Sequence, residues 1–318
     1  MRCLVTGASG FLGSHLTREL IRRGHAVTLL LRPGSNVGLI EDCLGVSRVV
    51  YGDLQNLLGL QSALAEEQVD AAFHLAWFGV TAEHRNDPRQ LTWNVKGSLD
   101  LWEILHESNC KTWIGLGSQA EYGPQSGVLN EDTPVNPKTA YGVAKLSVGL
   151  LTRQLCELAN MRYVWLRLLS AYGPCDDERH MIPLVMRALI EKEKPSVTAG
   201  GQRWDYIYVS DAVDALCSVL EGSAEGVFAL GSGVAVPLRK TIELLRDIMD
   251  SNLEIGFGEI PYAPDQVMHL EADITRLRAA TGWTPKISLE EGLQRTVNWY
   301  RSYSPENVFL KNKVGSRS

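Results

Sequence analysis

A tyrosine and a lysine four residues apart carry the strongest chemical signal in this sequence. Tyr141 and Lys145 stand in "AYGVAK", and residues spaced i and i+4 share one face of a helix. A lysine beside a tyrosine favours the phenolate and lowers the pKa of the tyrosine, which suits proton transfer to a carbonyl or from a hydroxyl. Ser118, in "GLGSQAEYG", ends a predicted strand and offers a hydroxyl that could polarise the same oxygen. Because the spacing alone is common by chance, the interpretation depends on a nucleotide site nearby.

A glycine triplet in "TGASGFLG" has the spacing of a phosphate-binding loop. Gly7 permits the tight turn, Gly10 lets the backbone approach a pyrophosphate, and Gly13 lets the following helix pack close to the strand. The loop follows a predicted strand and opens a predicted helix, whose free N–H groups and dipole favour phosphates. The sequence therefore predicts dinucleotide binding, and a plain turn is the alternative.

The residues after the second predicted strand bear on which dinucleotide binds. An acid usually binds the adenosine 2′-OH at this place, but the chain has Leu31 and Arg32 instead. Because an arginine pairs with a 2′-phosphate, the sequence predicts NADP(H), held by Arg32 and by Ser35 or Asn36. The alternative is a solvent-facing Arg32 and a relaxed choice that admits NAD(H). Asp53, at the end of the third predicted strand, is expected to accept from the adenine amino group or to cap a helix.

Alternating strands and helices predict the fold that positions these residues. Helical segments separate apolar runs that are typical of strands, namely "RCLVT", "HAVTLLL", "SRVVY", "VDAAFHLAW", "KTWIGLGS" and "RYVWLRLL". The pattern predicts an α/β fold, with a Rossmann-type doubly wound parallel sheet and a smaller mixed α/β C-terminal substrate lobe. The predicted Rossmann domain spans 1–170. The chain is expected to return to it near 203–231, through Tyr206–Val209 and Phe228–Leu230. The lobe takes 171–202 and 232–303, and 304–318 is a polar tail.

Bulk properties exclude several classes of protein. The net charge of −6 lacks the basic bias of a nucleic-acid or membrane-surface protein. The apolar runs are far shorter than the ~20 residues of a membrane span. Because a strand begins almost at Met1, no signal peptide is expected. Six scattered cysteines without zinc-like spacing predict reduced thiols in the cytoplasm and no metal site. Cys175 is interpreted as a loop thiol, with a nucleophile as the alternative.

Taken together, the motifs resemble the extended short-chain dehydrogenases/reductases of the nucleotide-sugar epimerase/dehydratase/reductase group. The resemblance covers about residues 1–300, and its pieces are "TGASGFLG", "GDL", "HLAW", "NVKGS", "GSQAEYG", "AYGVAK", "RLLSAYGP", "GGQRWDYIYVSDA", "FALGSG" and "ADITRLRAATGWTPKISLEEGL". It implies that Tyr141 is the acid/base, that Lys145 holds the nicotinamide ribose and that Ser118 binds the reacting sugar oxygen. It also implies that Asn94 steadies the active-site helix and that Arg203 contacts the substrate's diphosphate. For these last two, capping or pairing at the surface is the alternative.

The loop and the resemblance together predict two sets of contacts. The cofactor-binding set is Gly7, Ser9, Gly10, Phe11, Leu12, Gly13, Arg32, Asp53, Leu54, Leu75, Ala76, Trp77, Asn94, Tyr141 and Lys145. The substrate-binding set is Ser118, Gln119, Tyr141, His180 and Arg203. Trp77 either narrows the sugar site or packs in the core, and His180 either contacts the nucleotide sugar or lies on the surface. Two predicted helices, from Asn94 and from Tyr141, are apolar on more than one face. They predict a homodimer through a four-helix bundle, as in relatives, or a helix buried within a monomer.

Departures from the family pattern bear on the reaction. Family dehydratases carry an Asp-Glu pair directly after the serine or threonine, whereas Gln119 and Ala120 stand here. Glu121 comes one position later and should point elsewhere on an extended segment. Family epimerases usually carry the ribose acid, which is missing. The sequence therefore predicts an NADPH-dependent ketoreductase acting on a nucleotide-activated 4-keto-6-deoxy sugar, with Tyr141 as the proton donor. The alternatives are a nucleotide-sugar 4-epimerase and a non-catalytic NADP(H)-binding protein.

Overall fold

The computed structural model describes residues 1–264 and 266–302, so the predicted polar tail lies outside the described residues. The strands are β1 (Arg2–Thr6), β2 (Ala26–Leu31), β3 (Arg48–Tyr51), β4 (Ala71–His74), β5 (Thr112–Ser118), β6 (Gly127–Leu129), β7 (Arg162–Leu168), β8 (Ser170–Tyr172), β9 (Ser196–Val197), β10 (Arg203–Tyr208), β11 (Gly226–Leu230), β12 (Ala235–Pro237), β13 (Gly256–Phe257) and β14 (His269–Ala272). The α-helices are α1 (Phe11–Arg22), α2 (Glu41–Leu44), α3 (Leu58–Glu66), α4 (Lys96–Glu107), α5 (Ala140–Leu158), α6 (Met181–Ile190), α7 (Val209–Glu221), α8 (Leu238–Met249), α9 (Thr275–Thr281) and α10 (Leu289–Ser302).

A seven-stranded parallel sheet is the main layer of the described chain. Its strand order is β11-β7-β5-β4-β1-β2-β3. β2 is buried along nearly its whole length, as expected for a parallel strand covered on both faces. The chain runs outward from β1 to β3 on one side and from β4 to β11 on the other. The predicted Rossmann-type doubly wound sheet is therefore confirmed, and its switch point lies between the carboxyl ends of β1 and β4.

Alternate residues of β1 point into two different apolar layers. Cys3 and Val5 pack into the layer that contains α1 and α7, and Leu4 packs into the layer that contains α3, α4 and α5. Buried side chains from these helices fill the layers, namely Leu16, Leu20 and Leu216 in the first and Leu60, Leu101 and Val148 in the second. Burial of each such side chain stabilises the fold by about 1.5–3 kcal/mol. The period-2 pattern of one strand thus fixes helices on both faces.

A second, smaller sheet forms beside the main one. Its order is β12-β10-β14-β6, with β8 paired to the other part of β10. The predicted return of the chain to the main sheet at Tyr206–Val209 is wrong, because Tyr206, Ile207 and Tyr208 pair with β8 in this second sheet. The predicted return at Phe228–Leu230 is confirmed, since β11 occupies the edge beside β7. Buried residues of α6, α8 and α10 belong to the same apolar cluster as α1 and α7, so both sheets share one core.

The helix predicted from Asn94 begins differently in the structure. A π-helical stretch, Gln90–Val95, precedes α4. The side chains of Gln90 and Asn94 bond to the backbone of the segment that follows β4. Such wide turns often mark functional sites, and this one lies beside the carboxyl end of β4.

Two further features of the described residues are the length of the helices and the state of the cysteines. No helix in residues 1–264 and 266–302 is both long and apolar enough to cross a membrane. The six cysteines are all free thiols. Burial raises the pKa of the Cys175 thiol to about 11, so this thiol is protonated at neutral pH, in agreement with a loop thiol.

Candidate active site

The glycine loop connects β1 to α1 at the switch point of the main sheet. Gly7 has a φ of 72°, and a Cβ there would lie 2.7 Å from the backbone nitrogen of Ala76. A Cβ at Gly13 would lie 2.0 Å from the carbonyl oxygen of Gly7, whereas one at Gly10 would approach that oxygen only to 3.3 Å. Packing of the loop therefore requires glycine at 7 and 13, and Gly10 leaves its exposed side open.

The first turn of α1 presents backbone donors beside Gly10. Gly10 is the N-cap of α1, and no side chain of the described residues caps this helix end. The N–H groups of such a turn have no partner within the helix and point outward. Together with the open side of Gly10, they fit the pyrophosphate of a dinucleotide. Three further predicted contact residues lie in or beside this turn, namely Ser9, Phe11 and Leu12.

Thr6 ties the glycine loop to the end of β4. Its Oγ1 accepts hydrogen bonds from the N–H groups of Leu75 (3.2 Å) and Ala76 (3.1 Å) and lies 3.0 Å from Nδ1 of His74. Nε2 of His74 lies 2.8 Å from Oγ of Ser98. Burial lowers the pKa of His74 to about 3, so the imidazole is neutral. Sequence reasoning missed Thr6, although a threonine directly before the first glycine was visible.

The three predicted catalytic side chains come together at the carboxyl edge of the sheet. Tyr141 and Lys145 are both buried on α5, and Ser118 ends β5 close enough to Tyr141 for its side chain to lower the pKa of the tyrosine. Lys145 Nζ donates to the carbonyl oxygen of Leu116 (2.7 Å) and lies 3.7 Å from the ring centroid of Trp77. The rings of Trp77 and Tyr141 meet edge to face at 6.2 Å. Trp77 therefore lies against Tyr141 and Lys145, the predicted catalytic pair.

The sequence analysis predicts that Lys145 lowers the pKa of Tyr141, but the pKa of Tyr141 is raised. Burial raises the pKa of Tyr141, while the side chain of Ser118 and the charge of Arg85 oppose the increase. Burial also lowers the pKa of Lys145 to about 7, against the opposing influence of Glu121. Lys145 is thus partly neutral near pH 7, and its Nζ is engaged with Leu116 and Trp77. The helical spacing alone does not reveal this desolvation.

Arg85 is a residue of the site that sequence reasoning missed. Its guanidinium carbon lies 5.7 Å from the ring centroid of Tyr141, within the range of a cation–π contact. The backbone holds it there, because the N–H of Tyr141 donates to the carbonyl oxygen of Arg85 (2.8 Å). Its Nε is buried without a hydrogen-bond partner among the described residues. No sequence motif identifies it, since it lies in the irregular segment between β4 and α4.

Asn94 holds the segment after β4 in place. Its Oδ1 accepts from the N–H of Phe78 (2.8 Å), and its Nδ2 donates to Phe78 oxygen (3.0 Å) and to Gln90 Oε1 (2.8 Å). Trp77 Nε1 donates to the same Gln90 oxygen (2.9 Å). Asn94 is buried, so the alternative of surface capping or pairing is wrong. Gln90 is a second residue of this network that the sequence analysis missed.

The predicted ribose and adenine contacts lie at the carboxyl ends of β2 and β3. Leu31 is buried, and Arg32 is exposed with no ion pair to any described residue. Asp53 Oδ1 accepts from the N–H groups of Gln55 (2.7 Å) and Asn56 (3.1 Å). The alternative that Asp53 caps a helix is wrong, because this carboxylate closes a turn before α3. Leu54, in the same turn, packs its backbone against α4.

The predicted substrate contacts are more dispersed. Gln119 directly follows Ser118 in a 3-10 turn, Gln119–Glu121. Arg203 begins β10 and donates to the carbonyl oxygen of Ala235 (2.6 Å). Nδ1 of His180, at the N-terminus of α6, lies 2.8 Å from Asp176 Oδ1, and this bond raises the pKa of His180. In the described residues, neither Arg203 nor His180 bonds to Ser118, Tyr141 or Lys145.

Glu121 points away from the site, as the sequence analysis predicted, but for a different reason. The segment is a 3-10 turn and not an extended strand. The turn directs the carboxylate into the protein, where it accepts from Ser118 N and pairs with Arg167. No acid therefore occupies the place of the Asp-Glu pair that the family's dehydratases carry.

Known proteins share this architecture. Residues 3–231 match the family model described as the NAD dependent epimerase/dehydratase family. A UDP-glucose 4-epimerase of Lactobacillus helveticus is 25% identical, over 95% of this chain and 98% of its own. A dTDP-4-dehydro-6-deoxyglucose reductase of Escherichia coli is 26% identical, over 94% and 97%. A solved structure of MoeE5 in complex with UDP-glucuronic acid and NAD is 28% identical, over 95% and 99%, with a TM-score of 0.82.

Proposed function

The chain belongs to the NAD-dependent epimerase/dehydratase family of extended short-chain dehydrogenases/reductases, and on that premise we propose that it is a ketoreductase. The proposed substrate is a nucleotide-activated 4-keto-6-deoxy sugar, and the proposed reductant is NADPH. Its E. coli relative carries the name of such a reductase. The family and the enzyme class are thus the starting point, and the reaction is the proposal.

The residues at the carboxyl end of β2 are the observation that favours a reductase over an epimerase. It holds a buried Leu31 and an exposed Arg32, where an acid would bind the 2′-OH of NAD. A guanidinium binds a 2′-phosphate well because it offers several donors in one plane. NADPH is the usual reductant that enzymes consume, which favours net reduction over a closed epimerisation cycle.

Tyr141, Ser118 and Lys145 each have a separate role in the proposed reduction. The nicotinamide cofactor, when bound, supplies the hydride to the keto carbon. Tyr141 gives its phenolic proton to the carbonyl oxygen as the alcohol forms. Ser118 stabilises the charge that develops on this oxygen, and Lys145 holds the ribose. Because Gln119 and Ala120 cannot transfer protons and Glu121 faces Arg167, the chain lacks an acid/base pair for dehydration.

A turnover assay tests the proposal. The purified protein is incubated with NADPH and dTDP-4-keto-6-deoxyglucose, and absorbance at the reduced nicotinamide band is followed together with product formation. We expect NADPH to be consumed in a one-to-one ratio with the keto sugar. Tyr141→Phe should remove turnover and leave NADPH affinity unchanged. Tightly retained NAD, with interconversion of sugars and no net consumption of NADPH, would contradict the reductase proposal.

Cofactor choice has its own test at Arg32. In Arg32→Ala we expect the KM for NADPH to increase about ten- to a hundredfold, the range of a lost hydrogen bond to a charged group. The KM for NADH should change little, because NADH has no 2′-phosphate. Arg48→Ala, at the amino end of β3 and so at the other end of the strands from Arg32, is the control. Equal changes for both cofactors would contradict an NADP(H) preference.

A nucleotide-sugar 4-epimerase is the second candidate. It is supported by the similarity to the L. helveticus epimerase and by the NAD bound in the MoeE5 structure. The same tyrosine and serine would serve oxidation and reduction at one carbon. Incubation with UDP-glucose and chromatography of the products distinguishes this candidate, since epimerisation yields a second UDP-hexose without consuming reductant.

We also propose an assembly and a location. α5 leaves apolar side chains exposed, namely Val143, Leu150, Leu151 and Leu158. Two copies of α4 and α5 could cover this face as a four-helix bundle in a homodimer. The free cysteines fit a reducing compartment, which supports the cytoplasm. The division into a Rossmann domain and a substrate lobe, 171–202 and 232–303, stays a prediction.

A further inference from the structure

A buried carboxylate bonds to the backbone of the predicted active-site serine. Glu121 is fully buried. Its Oε1 accepts from Ser118 N (2.8 Å) and from Trp165 Nε1 (3.0 Å), and its Oε2 accepts from Arg167 Nε (2.8 Å). Arg167 is also buried, so the ion pair is shielded from solvent. Three donors from β5 and β7 therefore hold one carboxylate in a fixed orientation.

Two glycines, Gly117 and Gly149, lie so close to this pair and to Trp165 that a larger residue would not fit at either position. A Cβ at Gly117 would lie 2.5 Å from Glu121 Oε1 and 2.4 Å from Trp165 Nε1. A Cβ at Gly149, on α5, would lie 2.9 Å from the Trp165 ring. Strand β5 and helix α5, which carry Ser118 and Tyr141, thus meet around the indole that bonds to Glu121.

Stability alone is a weak explanation for such a pair. Desolvation of two charges offsets most of their attraction, and apolar residues of similar volume often stabilise a fold equally well. One nitrogen of Arg167, Nη1, has no hydrogen-bond partner in the described residues. Its Nε, by contrast, donates to Glu121, and the same carboxylate accepts from Ser118 N. The arrangement therefore favours orientation of the serine as the role of Glu121.

We propose that Glu121 is a positioning residue, which holds the backbone of Ser118 so that the serine hydroxyl lies against Tyr141. Ser118 ends β5 in an extended conformation and is followed at once by the 3-10 turn. Both the side chain and the backbone of the serine bond to this turn, since Ser118 Oγ accepts from Ala120 N (3.2 Å) and Ser118 N donates to Glu121 Oε1 (2.8 Å). Glu121 has no contact with the open side of the site. This inference rests on the proposed function, because it needs Ser118 to act on the substrate.

A matched pair of variants tests the inference. Glu121→Gln/Arg167→Met keeps an acceptor oxygen for Ser118 N, and Glu121→Leu/Arg167→Met removes it. Both variants remove the two charges together, so neither leaves a lone buried charge. We expect kcat of the glutamine variant to stay within about threefold of the native value. We expect kcat of the leucine variant to fall at least about tenfold, since it loses the hydrogen bond that holds Ser118 and misplacement of a reacting group slows the reaction strongly. The KM for NADPH should be the same in both.

Repeating the pair in a Ser118→Ala background separates positioning from a general structural effect. If Glu121 acts through Ser118, the difference in kcat between the two variants disappears when the serine hydroxyl is absent. Thermal melting is measured for each protein, and Glu121→Ala/Arg167→Met replaces the leucine variant if that variant does not fold. Equal kcat in the matched pair, or a difference that persists without the hydroxyl, would overturn the inference. Absence of NADPH-dependent turnover in the native protein would instead reject the proposed function.

Discussion

At the scale of single residues, the charge state of Tyr141 is a balance between burial and nearby positive charge. Burial raises its pKa, and the side chain of Ser118 and the Arg85 charge lower it. Lys145, the expected partner, has a pKa of about 7 because it is buried too. Arg85 therefore supplies positive charge beside Tyr141, because Lys145 is only partly protonated at neutral pH.

Replacing Arg85 should change the pH dependence of the reaction. In Arg85→Gln the pKa of Tyr141 increases further, because a positive charge that favours the phenolate is lost. Reduction needs the protonated tyrosine, so the alkaline limb of kcat should move to higher pH, by about half a unit to one unit. At the same time kcat should fall, since the phenolate left after proton transfer is less stable. Arg85→Lys keeps the charge and serves as the control. A limb that moves to lower pH, or does not move, would contradict this role.

At the scale of elements, the β1–α1 connection shows how one loop combines packing with binding. Gly7 and Gly13 face other backbone atoms at distances that exclude a side chain, whereas a Cβ at the exposed Gly10 would make only a tight contact, 3.3 Å from the Gly7 oxygen. The three glycines therefore have separable functions, although they look equivalent in the motif.

Two alanine variants distinguish these functions. Gly13→Ala forces a Cβ against the carbonyl of Gly7, so the free energy of unfolding in urea should decrease by about 1–3 kcal/mol, as for other overpacked sites. Gly10→Ala should lose less stability than Gly13→Ala, because its Cβ approaches the Gly7 oxygen only to 3.3 Å. It should bind NADPH at least about tenfold more weakly, because a methyl group beside the first turn of α1 crowds the pyrophosphate. Nucleotide fluorescence measures the affinity. Native affinity in Gly10→Ala would show that the pyrophosphate does not lie there.

At the scale of the whole molecule, one core joins the two sheets, and one helix face remains uncovered. The apolar cluster that contains α1 and α7 also contains residues of α6, α8 and α10, which favours a single cooperative unit. By contrast, α5 exposes leucines that no other described residue covers. A second copy of the chain would remove this apolar surface from water.

Light scattering of matched variants tests the dimer. Leu151 on α5 and Leu184 on α6 are each 44% exposed, so Leu→Glu is the same change at two equally accessible sites. The native mass in solution should be twice 35.1 kDa. Leu151→Glu should shift the protein towards the monomer, because a charge is buried in the interface, and Leu184→Glu should not. A native monomer, or a dimer that Leu151→Glu leaves intact, would contradict the bundle.

The sequence by itself determined the features that depend on local spacing. The apolar runs of β1 to β5, the glycine turn and the i, i+4 pair of Tyr141 and Lys145 each follow from the geometry of a strand, a turn or a helix. Parallel strands bring their carboxyl ends to one edge, so Ser118 could be assigned to the same site as the glycine loop.

Only the tertiary structure decided the features that depend on distant segments. Sequence spacing did not show that β10 pairs with β8 and leaves the edge beside β7 to β11. It did not show that Arg85 lies against Tyr141, or that Arg167 pairs with Glu121, which is 46 positions away in the chain. Nor did it reveal that burial sets the pKa of Tyr141 and Lys145. The physical reason is that pairing partners and desolvation depend on the whole set of surrounding atoms, and chain neighbours supply only a few of them.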